Sequence, residues 1–184
     1  MLYEALSAGD AVKARGLMTS WYLNGEPVAS ICDHPLAGAL RKIGELWQHS
    51  DDGIFIEHRA TDICVQALQH LRALFPPTAE DAPAAIGGGR SGDPYLIPSL
   101  MVAAVLGDQG YRVINLGPDT PTRVLISAAQ GVRARLWWLS AMAPVKAAAL
   151  EADVRDLAEA AATQQAHLAV GGLRVNARLS TLAA

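Results

Sequence analysis

Residues 83–119 read PAAIGGGRSGDPYLIPSLMVAAVLGDQGYRVINLGPD, and this stretch decides the fold class. Ala84-Ala85-Ile86-Gly87 is a short apolar run ending in glycines, Ile97 to Leu106 is a helical stretch, and Tyr111 to Leu116 is a β-like run closed by Gly117-Pro118-Asp119. Strand, helix and strand in so short a span make a βαβ unit, and such units build parallel sheets. The pattern repeats towards the C-terminus. A helix is expected over Pro121 to Gln130, a strand over Leu136-Trp137-Trp138-Leu139-Ser140, an alanine-rich helix over Val145 to Ala162, and a strand over His167 to Gly172. Right-handed crossovers follow for this order. Ligands of open α/β sheets bind outside the carboxyl ends of the strands, which is where Gly87 to Gly89, Gly117, Gly171 and Gly172 cluster.

Towards the N-terminus the grammar is helical. Ser7-Ala8-Gly9-Asp10 offers a cap before Ala11 to Leu23, and Asn24-Gly25 stops that helix. Pro27 suits the start of a second helix through Leu36, Leu40, Ile43 and Leu46-Trp47, which Ser50-Asp51-Asp52-Gly53 breaks. A third run carries Ile56, Ile63, Leu68, Leu71 and Phe75 and ends at Pro76-Pro77. With a leading turn over Leu2 to Leu6, residues 1–76 read as a four-helix bundle. Residues 83–184 read as a Rossmann-like, flavodoxin-like domain behind a linker of small and acidic residues.

Composition narrows the function classes. Of 184 residues, 51% are apolar and the formal charge is −3, so a buried core is expected and disorder is not. The basic residues are scattered, which is poor ground for direct nucleic-acid binding. The N-terminus has no basic, apolar leader pattern and the apolar runs fall short of a membrane span, so a cytoplasmic chain without membrane contact is expected. Cys32 and Cys64 form no CxxC pair and read as small buried hydrophobes.

Three features carry a resemblance. The first is Ile43-Gly44-Glu45-Leu46-Trp47, then nine residues, then Glu57-His58. The second is Ser140-Ala141-Met142, followed after 28 residues by Gly171-Gly172. The third is Asp93-Pro94-Tyr95-Leu96-Ile97-Pro98 in the loop after the first strand. Together they resemble the cobalamin-dependent photoreceptor regulators of the CarH type, without their DNA-binding domain. The resemblance implies that Trp47, Glu57 and His58 lie over the upper face of adenosylcobalamin. It implies that Ser140, Met142, Gly171 and Gly172 correspond to the SxL…GG pair that meets the nucleotide tail. Met142 stands where the family has Leu, a swap that conserves volume.

The loop departs from the family's DxHxxG motif. Asp93 is kept, Tyr95 takes the position of the cobalt-binding histidine, and Pro98 takes that of the glycine. A phenol that ionises near pH 10 is a poor cobalt ligand at neutral pH, so no histidine-ligated complex forms at this position. Gln48 follows Trp47, where the photoreceptors can place a second histidine, and His49 is a weak candidate for that upper ligand.

The expected function is therefore a sensory module for a cobalamin, signalling light or cofactor status through a regulatory protein partner, and not an enzyme. Self-association into a homo-oligomer is the other expected contact. The metal ligands are left unassigned. Another tetrapyrrole, a bilin or haem, is the alternative ligand. A corrinoid carrier for methyl transfer is the second function, and a ligand-free domain acting by protein contact is the third, favoured by Pro94, Tyr95 and Pro98. Each feature also has a plainer reading: Trp47 as core, Glu57-His58 as helix surface, Ser140 and the glycines as ordinary strand-end residues. His34 and His70 sit on helices without ligand-spaced partners, His167 opens a strand, and Asp51-Asp52 reads as a helix cap. The run from Gly87 to Gly92 lacks the ending of a phosphate loop.

Overall fold

In the computed structural model, which describes residues 1–46 and 51–175, the chain divides into two compact units, Met1–Pro76 and Pro77–Ala184. The first unit is helical. Helix α1 (Leu2–Ala8) turns at Gly9 into α2 (Ala11–Leu23), whose start is capped by Asp10 Oδ1 accepting from the Lys13 N–H at 2.9 Å. Helix α3 (Val28–Ile31) runs through a π-helical turn, Cys32–Leu36, into α4 (Ala37–Leu46).

The sequence reads this span as one regular helix, and Pro35 explains the difference. Its ring has no N–H to give and crowds the carbonyl four residues back, so the ladder widens by one residue around it. Helix α5 (Asp51–Arg72) contains Asp52 and Gly53, where the sequence suggested a break. Burial of one face along the helix holds it together through these residues. Ala60, Ile63, Cys64, Ala67, Leu68 and Leu71 recur at three-to-four spacing and are all buried. Leu6, Met18, Ile31, Leu36 and Ile43 supply the rest of this unit's core.

The second unit is a four-stranded parallel sheet in the order β2-β1-β3-β4. The strands are β1 (Ala84–Gly89), β2 (Arg112–Asn115), β3 (Leu136–Ser140) and β4 (His167–Gly171). The connecting helices are α6 (Leu96–Asp108), α7 (Thr122–Gly131) and α8 (Ala147–Thr163). Alternation along β3 sends neighbouring tryptophans to opposite faces. Trp137 packs with Ile86, Leu125, Leu139 and Leu157, whereas Trp138 packs with Ala85 and Ala103 of α6. The chain leaves β1 for β2 on one side and returns to β3 on the other. That reversal makes the carboxyl ends of β1 and β3 the topological switch point.

Candidate functional site

At the carboxyl edge the strand register sets Gly89, Ser140 and Gly171 abreast. Ser140 is 5% exposed, and its hydroxyl makes no hydrogen bond among the described residues. Apart from its chain neighbours, no atom comes within 4 Å of where a Cβ on Gly171 would stand, so the strand end beside Ser140 is open. Gly172 is different in kind. Its φ is +115° and a Cβ there would collide with the Ala141 carbonyl, so the second glycine is required by the chain itself.

Asp93 organises the loops above this row. It is 2% exposed, and its Oδ2 accepts from the N–H groups of Met142 at 2.5 Å and Ala143 at 3.1 Å. Its Oδ1 accepts from the Tyr95 N–H at 3.1 Å. The sequence grouped Asp93 with ligand-contacting residues, but both of its oxygens are held by backbone, and it ties the loop after β1 to the loop after β3. Met142 extends the tie, because its Sδ accepts from the Leu173 N–H at 3.2 Å. Tyr95 stands just before α6 and is 53% exposed.

Further contacts at this edge were not legible in the sequence. The Arg90 N–H donates to the Ser140 carbonyl at 2.8 Å, while its Nε pairs with Asp153 Oδ2 of α8 at 2.7 Å. Thr122 Oγ1 donates to the other Asp153 oxygen at 2.7 Å. Asp119 Oδ1 accepts from the Gly92 N–H at 2.6 Å and draws the β1 loop towards the β2 loop. The only sequence signal for this network was the glycine run itself. An arginine-aspartate pair separated by more than sixty residues has no local signature.

In the helical unit, Glu57 and His58 are adjacent on α5, with His58 Nδ1 2.6 Å from Glu57 Oε2. Glu57 Oε1 accepts from Thr61 Oγ1 at 2.9 Å, so the carboxylate is oriented from two sides. The His58 side chain is 71% exposed and Glu57 29%. Phe55, one turn before Arg59, is also exposed, and the Arg59 guanidinium lies 4.9 Å from its ring centre. Trp47 and His49 lie outside the described residues.

Among the described residues no group of three or more His, Cys, Asp or Glu side chains is placed to hold a metal ion. No described helix is long and apolar enough to cross a membrane.

Residues 1–72 match the family model described as B12 binding domain. No curated protein matches the chain. Among solved structures, the chain is similar to the monomethylamine corrinoid protein of Methanosarcina barkeri. That likeness has a TM-score of 0.67 and 18% identity, covering 94% of this chain and 82% of that one. A novel cobalamin-binding protein from Desulfitobacterium hafniense matches with a TM-score of 0.43 and 18% identity, over 94% of this chain and 82% of that one. The methanol:cobalamin methyltransferase complex of M. barkeri matches with a TM-score of 0.43 and 15% identity, over 94% of this chain and 66% of that one. The first of these likenesses establishes the fold: a helical unit followed by a Rossmann-like parallel sheet.

The match to a B12 binding domain makes a corrinoid the implied ligand. Ser140 and Gly171 fit it, since they set a free hydroxyl beside an open, side-chain-free position at the switch point, while Pro118 covers Gly89 on the other side. The loop does not fit a histidine-ligated corrinoid, because Tyr95 stands at that position.

Proposed function

We propose that this chain is a corrinoid-binding module that holds its ligand over the carboxyl edge of the sheet and presents it to a protein partner, as a carrier subunit does. The observation that carries this reading is the B12-binding match over residues 1–72 followed by a sheet whose switch point sets the Ser140 hydroxyl beside the open strand end at Gly171. The fold shared with a corrinoid protein from a methylamine system supports a carrier at least as well as a sensor, although fold alone does not transfer function. The chain supplies binding and orientation, and the chemistry belongs to the partner.

A second reading, the cobalamin photosensor, rests on one specific observation. The Glu57-His58 pair is oriented from two sides and open to a ligand, as an upper-face hydrogen-bonding pair would be.

One experiment separates the readings. The purified protein is incubated with adenosylcobalamin or hydroxocobalamin in darkness and desalted, and its absorption is recorded before and after green light. The carrier reading expects retained colour with both cobalamins and no release on illumination. Release or a change of oligomeric state on illumination favours the sensor. A colourless protein after desalting overturns both.

A further inference from the structure

Resting on the corrinoid reading above, we infer that this site holds a corrinoid without burying its nucleotide tail in the sheet, and that Trp138 is the residue that decides this. A flat group arriving at Ser140 can sink into the domain only along the face of β3 that Ser140 shares. Two residues earlier on that face is Trp138. Its side chain is 2% exposed and packs with Ala85 and Ala103. It lies over Gly87, where even a Cβ would collide with the indole.

The ring is also fixed in place. Trp138 Nε1 donates to Ser99 Oγ of α6 at 3.1 Å, and that hydroxyl donates to Asn115 Oδ1 at 2.8 Å. The same Asn115 oxygen accepts from the Gly117 N–H at 3.1 Å, which closes the chain of bonds onto the β2 loop. Moving the indole aside would strand a buried N–H and unmake this network.

The space between sheet and α6 beneath the strand-end row is therefore already filled by the protein's own aromatic side chain. Above it, Asp93 holds the loops after β1 and β3 together at 2.5 and 3.1 Å. A ligand can lie across Ser140 and Gly171, with Pro118 covering Gly89 beside them, but a nucleotide base cannot follow it inward. The ligand class is a corrinoid ring whose lower nucleotide is absent, or stays outside the protein core.

The test uses the whole chain and two probes, cobinamide, which lacks the nucleotide, and hydroxocobalamin, titrated by absorption. Wild-type protein is expected to bind both within about threefold of one another. Burial of a base would instead favour hydroxocobalamin by about thirtyfold or more, and that result overturns the inference while leaving corrinoid binding intact. Binding of neither probe overturns the corrinoid reading itself.

Trp138→Ala, which opens the slot, is expected to shift the preference towards hydroxocobalamin by about tenfold. Trp138→Phe keeps the core filled and should retain the wild-type ratio, so it serves if the alanine variant does not fold. A Trp138→Phe ratio that moves strongly towards hydroxocobalamin would count against the filled slot.

Discussion

Asp93 is the residue on which the site's shape turns, and its contacts make it a structural tie. One carboxyl oxygen holds two backbone N–H groups of the β3 loop and the other holds that of Tyr95. Removing the acceptor would leave several donors unpaired. Asp93→Ala is therefore expected to lower stability by about 2–4 kcal/mol. Faster amide exchange at Met142 and Ala143, with α8 unchanged, would place the loss at this tie; unaltered exchange would remove the tie from the account. The cysteines can be tested at the same scale. Cys32 and Cys64 are each 1% exposed, and burial pushes both thiols up to about 12, with Asp33 adding to the effect at Cys32. A thiol that is both covered and protonated is a poor nucleophile. Native protein at neutral pH should therefore show no fast-reacting thiol with a disulfide reagent, and both should react in urea.

At the scale of elements, Gly171 at the end of β4 and Gly172 just after it separate structure from ligand access. A side chain at Gly172 meets a positive φ and the Ala141 carbonyl together. Gly172→Ala should cost about 1–3 kcal/mol. Gly171→Ala meets no such obstacle. It should leave the unfolding midpoint nearly unchanged while weakening corrinoid retention, measured by urea melts and desalting. Equal stability losses in the two variants would show that Gly171 is structural as well. The π-helical turn around Pro35 teaches a related lesson. Proline is visible in a sequence, but whether it ends a helix, kinks it or widens one turn depends on the packing of its neighbours. Here buried Cys32 and Leu36 on either side keep the helix going through it.

For the molecule as a whole, each unit carries its own core, and the helical unit has a pH dependence built into it. Cys32 and Cys64 ionise near pH 9 when unfolded but only near 12 when folded. Below about pH 9 both states keep the protons and the thiols contribute no difference. As pH rises from about 9 towards 12 the unfolded chain releases protons that the folded one retains, so stability falls across that window. The urea midpoint of the helical unit should drop between about pH 9 and 11, and the drop should be smaller in the Cys32→Ala, Cys64→Ala double variant. Identical pH profiles for the two proteins would mean that the thiols do not drive the loss.

The alternation of short apolar runs with helical stretches after Pro83 determined the parallel sheet. Strand and helix periodicities are local, and glycines and prolines punctuate them. The placement of Ser140 and Gly171 at strand ends was likewise legible, because each closes a recognisable apolar run. Only the tertiary structure decided which strands lie side by side, and hence that Gly89 joins Ser140 and Gly171 in one row. It alone showed Asp93 bound to backbone some fifty residues away and Trp138 seated over Gly87. Such pairings depend on strand order and on the face each side chain takes. A chain read one residue at a time carries the propensity for a strand but not the identity of its neighbour.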